Sequence, residues 1–125
     1  MKILLVNAAF NSYGGVKGHG GSMMPLNLCY LAAYARRQHP DVHFRILDAE
    51  IHGLSHEQTV EEAASYQPNL IGITANTCVF DSVIGLVGLL KNKLPDVPVI
   101  IGGPHPSAMP EQSIQESMAD FAAIG

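Results

Sequence analysis

The sequence predicts an α/β protein built on one doubly wound sheet of five parallel strands in the order 2-1-3-4-5. Three observations carry that prediction. Short continuous apolar runs recur along the chain, helical patterns separate them, and one run alternates apolar with polar residues instead. Continuous runs suit strands covered on both faces, whereas alternation suits a strand with one wet side.

The first continuous run is Ile3-Leu4-Leu5-Val6. Pro25 fits the first position of a helix, where its missing N–H would have had no partner. Leu26, Tyr30 and Ala33 then repeat at i, i+4, i+7, and Arg36, Arg37 and His39 put positive or titratable groups at the negative helix end. From Val42 to Leu47 the chain alternates, with Val42, Phe44 and Ile46 on one face and His43 and Arg45 on the other, so this strand belongs near a sheet edge. Ser55 and Gln58 have the spacing of a capping box for a helix to about Tyr66, whose exposed face carries Glu57, Glu61 and Glu62. Leu70 to Thr74 is the third strand. Val83, Leu86, Val87 and Leu90 form the stripe of the next helix, closed by Lys91, Lys93 and Pro95. Val97 to Gly102 is the fourth strand, Pro110, Ile114 and Met118 outline a shorter helix, and Phe121-Ala122-Ala123-Ile124 makes the fifth strand.

Strict alternation of this kind builds a parallel sheet through right-handed crossovers. An amphipathic second strand at the edge selects the order 2-1-3-4-5, that of flavodoxin-like, Rossmann-like sheets. Gly125 follows the last strand directly, where such sheets normally carry a further helix sharing a face with the first. The expectation is therefore a fold with its final helix missing from this chain, apolar surface left bare, and residues 1–125 forming an N-terminal portion of a longer protein.

A chain of 125 residues is one domain, and at this size it buries roughly two-thirds of its unfolded surface without needing a disulfide or metal staple. Hydrophobic residues make up 47% and charged ones only 14%, against about a quarter in an average soluble domain, so part of the exterior is expected to meet other protein. Seven Lys and Arg against eleven Asp and Glu give a net charge of −4 with no basic run, which argues against a nucleic-acid partner. No apolar run approaches the ~20 residues of a membrane span. The protein is expected to be cytoplasmic. Cys29 in a helix and Cys78 in a loop are too few for a disulfide framework or a paired zinc motif and read as free thiols.

In open parallel sheets, ligands bind beyond the carboxyl ends of the strands where the strand order reverses, here between the first and third. Residues 7 to 24, 75 to 81 and 102 to 109 form the relevant loops. The first, opening at Asn7, is far longer than the ~2 to 6 residues usual in βα units. Its Gly18-His19-Gly20 fails the dinucleotide fingerprint at the last glycine, and Gly15 with Gly20 has phosphate-loop spacing but Gly21 where lysine is required. A lid-like excursion and a ligand clamp both stay open. Thr74-Ala75-Asn76-Thr77-Cys78 offers small polar groups to a ligand, although Thr77 or Asp81 would equally cap the next helix. For Asp81 the cap is the preferred reading, and for Thr74 both remain. In Gly102-Gly103-Pro104-His105-Pro106, two adjacent glycines remove both Cβ atoms where the sheet meets the crevice, so that a flat or extended ligand can lie on backbone. A plain tight turn is the alternative. Of the six histidines, His39, His43, His52 and His56 read as solvated, while His19 and His105 are placed to overhang the crevice. Two histidines without a carboxylate or thiolate at fixed spacing do not make a metal site. No Ser-His-Asp set assembles and no acid pair lies on a crevice loop, so this chain by itself is not expected to be catalytic.

Met1-Lys2-Ile3-Leu4-Leu5-Val6-Asn7, the stretch from Met24 to Tyr34, Ile46-Leu47-Asp48-Ala49, Pro68 to Thr74, and Val99-Ile100-Ile101-Gly102-Gly103-Pro104-His105-Pro106 follow one another in a familiar order. Together they resemble the N-terminal cobalamin-binding domain of B12-dependent radical S-adenosylmethionine enzymes, a group that includes anaerobic magnesium-protoporphyrin ester cyclases and many methyltransferases. The resemblance covers essentially the whole chain. It implies a corrinoid over the carboxyl ends of the strands with its nucleotide tail in the sheet crevice. Thr74, Asn76 and Thr77 would line one wall and Gly102 and Gly103 the other, with Asn7, Pro104 and His105 completing the cofactor contacts.

Many such domains supply the lower cobalt ligand through Asp-x-His-x-x-Gly after the first strand. Here His19 follows Lys17, with Ser22 at the glycine position, and the one Asp-x-His, Asp41-Val42-His43, leads into the second strand with Ile46 at that position. Histidine ligation of that type is therefore not expected, His19 remaining the one candidate near cobalt. The family's Cys-x-x-x-Cys-x-x-Cys is not formed by Cys29 and Cys78. A [4Fe-4S] cluster and S-adenosylmethionine would then belong to a C-terminal radical S-adenosylmethionine domain of the same polypeptide, the expected partner. Two readings compete: a degenerate structural or interaction domain that binds no corrinoid, and a flavin-binding domain. A receiver fails, because Asn7-Ala8-Ala9 and Thr74-Ala75-Asn76 stand where it needs acids.

Overall fold

A computed structural model describes residues 1–10 and 24–125. The elements run β1 (Lys2–Asn7), α1 (Leu26–Gln38), β2 (His43–Asp48), α2 (His56–Tyr66), β3 (Leu70–Thr74), α3 (Phe80–Lys93), β4 (Val99–Gly102), α4 (Pro104–Ala108), α5 (Pro110–Ser117) and β5 (Phe121–Ala122), with a 3-10 turn at Thr77–Val79 leading into α3. All neighbouring strands are parallel and their order is β2-β1-β3-β4-β5. The predicted doubly wound sheet is therefore present, with the alternating strand at its edge. Among the described residues no helix is long and apolar enough to cross a membrane.

Local chemistry explains most of the elements. The capping box at α2 is complete, Ser55 Oγ accepting from Gln58 N at 3.1 Å and Gln58 Oε1 accepting from Ser55 N at 2.9 Å. Val83, Leu86, Val87 and Leu90 of α3 are fully buried, as their spacing predicts. Leu4 and Val6 of β1, Ile71 and Ile73 of β3, and Val99 and Ile101 of β4 join them, with Val60 and Ala63 of α2, in the main core. Alternation along the strands sends Leu5, Ile3, Phe44 and Ile46 to the other face, where they meet Leu28 and Ala32 of α1 in a smaller cluster.

In α1 the structure reverses the expected stripe. Leu26 is 58% and Tyr30 74% exposed and Ala33 is also exposed, while Leu28 and Ala32 face the sheet. The helix is apolar on nearly all sides, so periodicity alone does not choose the side that docks. Pro25 stands one position before the helix, its carbonyl accepting from Leu28 N and Cys29 N. Residues 104 to 108, expected as loop, form α4 instead, with Pro104 in its first turn. The fifth strand keeps only two of the four expected residues. Asp120 anchors it by accepting from Val99 N at 2.7 Å and from Lys91 Nζ at 2.9 Å.

Candidate functional site

Parallel register sets Asp48, Asn7, Thr74 and Gly102 side by side across four adjacent strands, one row at the carboxyl edge of the sheet. The strand order reverses between Asn7 and Thr74, the position at which this architecture binds ligands. Asn7, Thr74 and Gly102 share the face that carries α1. Below them on that face are Leu5, Gly72 and Ile100. Among the described residues, α1 packs over the β1–β2 half, and Gly72, Thr74, Ile100 and Gly102 are left half-buried. The floor beside α1 is thus poor in side chains.

The two glycines after Ile101 answer different demands. A Cβ on Gly102 would meet Ala123 at 3.4 Å and 3.8 Å, ordinary contact, so this position contributes to the shallow floor. Gly103 has φ +105°, and a Cβ there would stand 2.8 Å from the Ala75 carbonyl oxygen and 3.2 Å from Thr74 Oγ1. Its missing side chain admits the end of β3, not open space. Ala75 N donating to Gly102 O at 2.7 Å and His105 N donating to Ala75 O at 3.2 Å tie the two strand ends together.

Several predicted contact residues are already hydrogen-bonded. Asn7 Nδ2 donates to Asp48 Oδ1 at 2.9 Å, and Asn27 Nδ2, from the first turn of α1, donates to Thr74 Oγ1 at 2.7 Å. Asn76 Oδ1 accepts from Val79 N at 3.1 Å, so Asn76 is the cap of the turn before α3, and neither Thr77 nor Asp81 fills that role. Thr77 Oγ1 lies 3.2 Å from His105 Nδ1. Contrary to the expectation of an overhanging ring, His105 is 6% exposed, stacks on Phe80 at a centroid distance of 3.9 Å, and keeps Nε2 buried without a hydrogen-bond partner among the described residues. Pro104 is exposed at the start of α4. Asn76, Thr77 and the free thiol of Cys78 are exposed on the same rim.

His56 also departs from expectation. It is 7% exposed, not solvated, with Nε2 2.9 Å from Ser82 Oγ. Burial pushes its pKa below the usual imidazole value, partly offset by the neighbouring Glu57 carboxylate. His43 opens β2 opposite Lys2, at the other end of the sheet from the crevice, as its sequence position implied. His19, with Lys17 and Ser22, lies outside the described residues. Among the described residues no three His, Cys, Asp or Glu side chains gather into a metal site. Sequence reasoning missed Asn27, Asp48 and Ser82 at this edge, since each reaches its partner only through the sheet order.

A parallel α/β sheet with polar groups in register over a floor poor in side chains at its switch point defines a small-molecule-binding domain. The pattern of the B12 binding domain family matches residues 16–125. An uncharacterized methyltransferase of Pyrococcus horikoshii is 32% identical over 120 residues, 93% of this chain and 24% of that protein. The anaerobic magnesium-protoporphyrin IX monomethyl ester cyclase of Rubrivivax gelatinosus is 29% identical over 118 residues, 94% of this chain and 20% of that protein. A cobalamin-binding protein from Desulfitobacterium hafniense shares the fold with a TM-score of 0.63 at 23% identity, over 98% of this chain and 52% of that one. The chain belongs to the B12-binding domain family. It spans about a quarter or less of the curated relatives it matches.

Proposed function

We propose that this chain is the cobalamin-binding module of a cytoplasmic radical S-adenosylmethionine enzyme, with the corrinoid above the carboxyl edge and its nucleotide tail entering beside α1. The observation that carries this reading is the in-register row Asn7–Thr74–Gly102 at the switch point, floored by Gly72 and Gly102 and flanked by a single helix among the described residues. A planar or extended group fits such a floor, because no Cβ projects from Gly102 and at Gly72 the place of a Cβ is taken by Leu5 Cδ2. Thr74 accepts from Asn27, so its own O–H is the donor it has to offer a ligand, and Asn76 and Thr77 stand exposed on the adjoining rim. Gly103 and His105 act from beneath, holding the ends of β3 and β4 in place, and Pro104 faces solvent beside them.

Cobalamin bound there supplies a cobalt centre that accepts and passes on a methyl group. The residues of this chain bind and orient it and leave bond-making to a second domain. In this reading a [4Fe-4S] cluster and S-adenosylmethionine sit in a C-terminal radical S-adenosylmethionine domain of the same polypeptide. The names of the two curated relatives, a methyltransferase and a cyclase, support that class of chemistry, and their greater length leaves room for such a domain.

Titration of purified residues 1–125 with hydroxocobalamin tests the binding step. A shift in the visible spectrum and colour that co-elutes with protein on gel filtration are expected. An unchanged spectrum with no retained colour would overturn corrinoid binding in favour of a degenerate interaction domain, and preferential retention of a flavin would favour a flavin site.

A further inference from the structure

Among the described residues, one buried side-chain polar atom has no hydrogen-bond partner: His105 Nε2. Three contacts fix this residue. Its backbone N–H donates to the Ala75 carbonyl at 3.2 Å, its ring stacks on Phe80 of α3 at a centroid distance of 3.9 Å, and Nδ1 lies 3.2 Å from Thr77 Oγ1. A hydrogen on Nε2 would be a buried N–H with nothing to donate to, and such donors are rare and costly. The hydrogen therefore sits on Nδ1, and Thr77 Oγ1 accepts it. A bare nitrogen lone pair stays inside, and the hydroxyl hydrogen of Thr77 is left for the outside, on an exposed residue.

The neighbouring rim residues have the same polarity. Thr74 Oγ1 accepts from Asn27 Nδ2 at 2.7 Å, so its own hydrogen is unspent among the described residues. Asn76 Oδ1 accepts from the Val79 N–H, a group that can only donate, so Nδ2 and its two hydrogens are what this exposed side chain offers a ligand. Inner partners thus engage an acceptor on each of Thr74, Asn76 and Thr77 and leave each with a donor. A ligand segment made only of acceptors, above all of anionic oxygens, gains a charge-assisted bond from every one of them.

We propose that His105 is a positioning residue that holds Thr77 in its donating orientation, so that Thr74, Asn76 and Thr77 together take a phosphodiester, the acceptor-only group of a nucleotide tail. The identity of the ligand rests on the cobalamin reading above, but the direction of the His105–Thr77 bond does not.

Long-range proton–nitrogen correlation spectra of the histidine rings report which nitrogen carries the hydrogen, and a protonated Nδ1 with a bare Nε2 is expected for His105. The reverse assignment, or hydrogen on both, overturns the positioning role whatever the ligand. Visible-spectrum titrations then compare hydroxocobalamin with two corrinoids that lack the base, cobinamide phosphate and cobinamide, of which only the first keeps phosphate oxygens. Thr77→Val, at an exposed site, is expected to raise the Kd for hydroxocobalamin and for cobinamide phosphate about tenfold and that for cobinamide less than twofold. His105→Phe, which keeps a ring against Phe80, is expected to raise the first two at least about threefold, and His105→Asn, whose side-chain N–H stands in for Nδ1–H, to recover most of that loss. The double variant of Thr77→Val and His105→Phe is expected to bind no more weakly than Thr77→Val alone, because both remove one interaction. Equal losses for all three corrinoids in His105→Phe would show a ring that serves the fold only and overturn the proposal. A loss with hydroxocobalamin that cobinamide phosphate does not share overturns the phosphodiester assignment. If Nδ1 carries the hydrogen and wild-type protein binds none of the three, the His105–Thr77 bond stands while the cobalamin reading falls and takes the ligand assignment with it.

Discussion

At Gly103 the backbone adopts φ +105° and the Ala75 carbonyl oxygen fills the place of a side chain. An alanine there meets a rigid backbone atom in a conformation that L residues avoid, and Gly103→Ala is expected to cost about 2 kcal/mol or more. Gly88, inside α3, has nothing within 4 Å of a Cβ, so Gly88→Ala is expected to add about 0.5 to 1 kcal/mol by improving helix propensity. Urea unfolding of the two variants measures both signs, and two equal, small effects would show that Gly103 is not held by its neighbours. The sequence showed that two glycines end β4. It does not show which of them serves the fold, because that depends on Ala75 arriving from a strand nearly thirty residues earlier. His56 is the same kind of case. Its place at a helix start was legible, but the packing of Ser82 and Gly85 against it belongs to α3.

At the scale of elements, β5 is held by its pairing with β4, by Asp120 N and Ala123 N donating to Val99 O and Ile101 O, and by the Asp120 side chain. Two residues pair with β4, and the Asp120 carboxylate binds Val99 N and Lys91 just before them. The Val99 N–H above all holds the Asp120 pKa below its usual 3.8; burial opposes it, and the Lys91 ammonium lowers it further. A carboxylate with a lowered folded pKa contributes stability that is complete above its unfolded value and is lost as pH falls through the folded one. Wild-type stability is therefore expected to drop as pH falls from about 4 downward, and Asp120→Asn to flatten that part of the profile while costing on the order of 1 kcal/mol at pH 7. An unchanged acid limb in thermal unfolding of Asp120→Asn would show that β5 is anchored otherwise. Every strand and the helices α2 and α3 were legible from runs, caps and stripes. Less so were α4, whose Pro104 reads equally as a turn, and the docking side of α1, whose Leu26 and Leu28 are equivalent until the sheet chooses between them. Asn76 took the cap from Thr77 and Asp81 because a 3-10 turn intervenes before α3.

Over the whole molecule, apolar residues are unevenly distributed. Met24, Leu26, Tyr30, Leu31 and Tyr34 are exposed together on and beside α1, next to the half of the sheet face that α1 leaves open among the described residues. Such a cluster gains no burial among the described residues, yet it presents surface that water disfavours. Low charge content, seen first in composition, is accompanied by this exposed apolar cluster on and beside α1, with Met109, Met118, Phe121 and Ile124 exposed elsewhere. The combined variant Leu26→Lys, Tyr30→Glu, Tyr34→Lys places opposite charges at i, i+4 on an unpacked helix side and is expected to change unfolding free energy by less than about 0.5 kcal/mol. Leu28→Ala, two positions from Leu26 but buried against Leu5, is expected to cost about 2 kcal/mol or more. Sedimentation velocity of residues 1–125 should show concentration-dependent association that the triple variant abolishes. Were the triple variant to lose as much stability as Leu28→Ala, the outer side of α1 would be packed within this domain, and no other polypeptide would be needed to account for its composition.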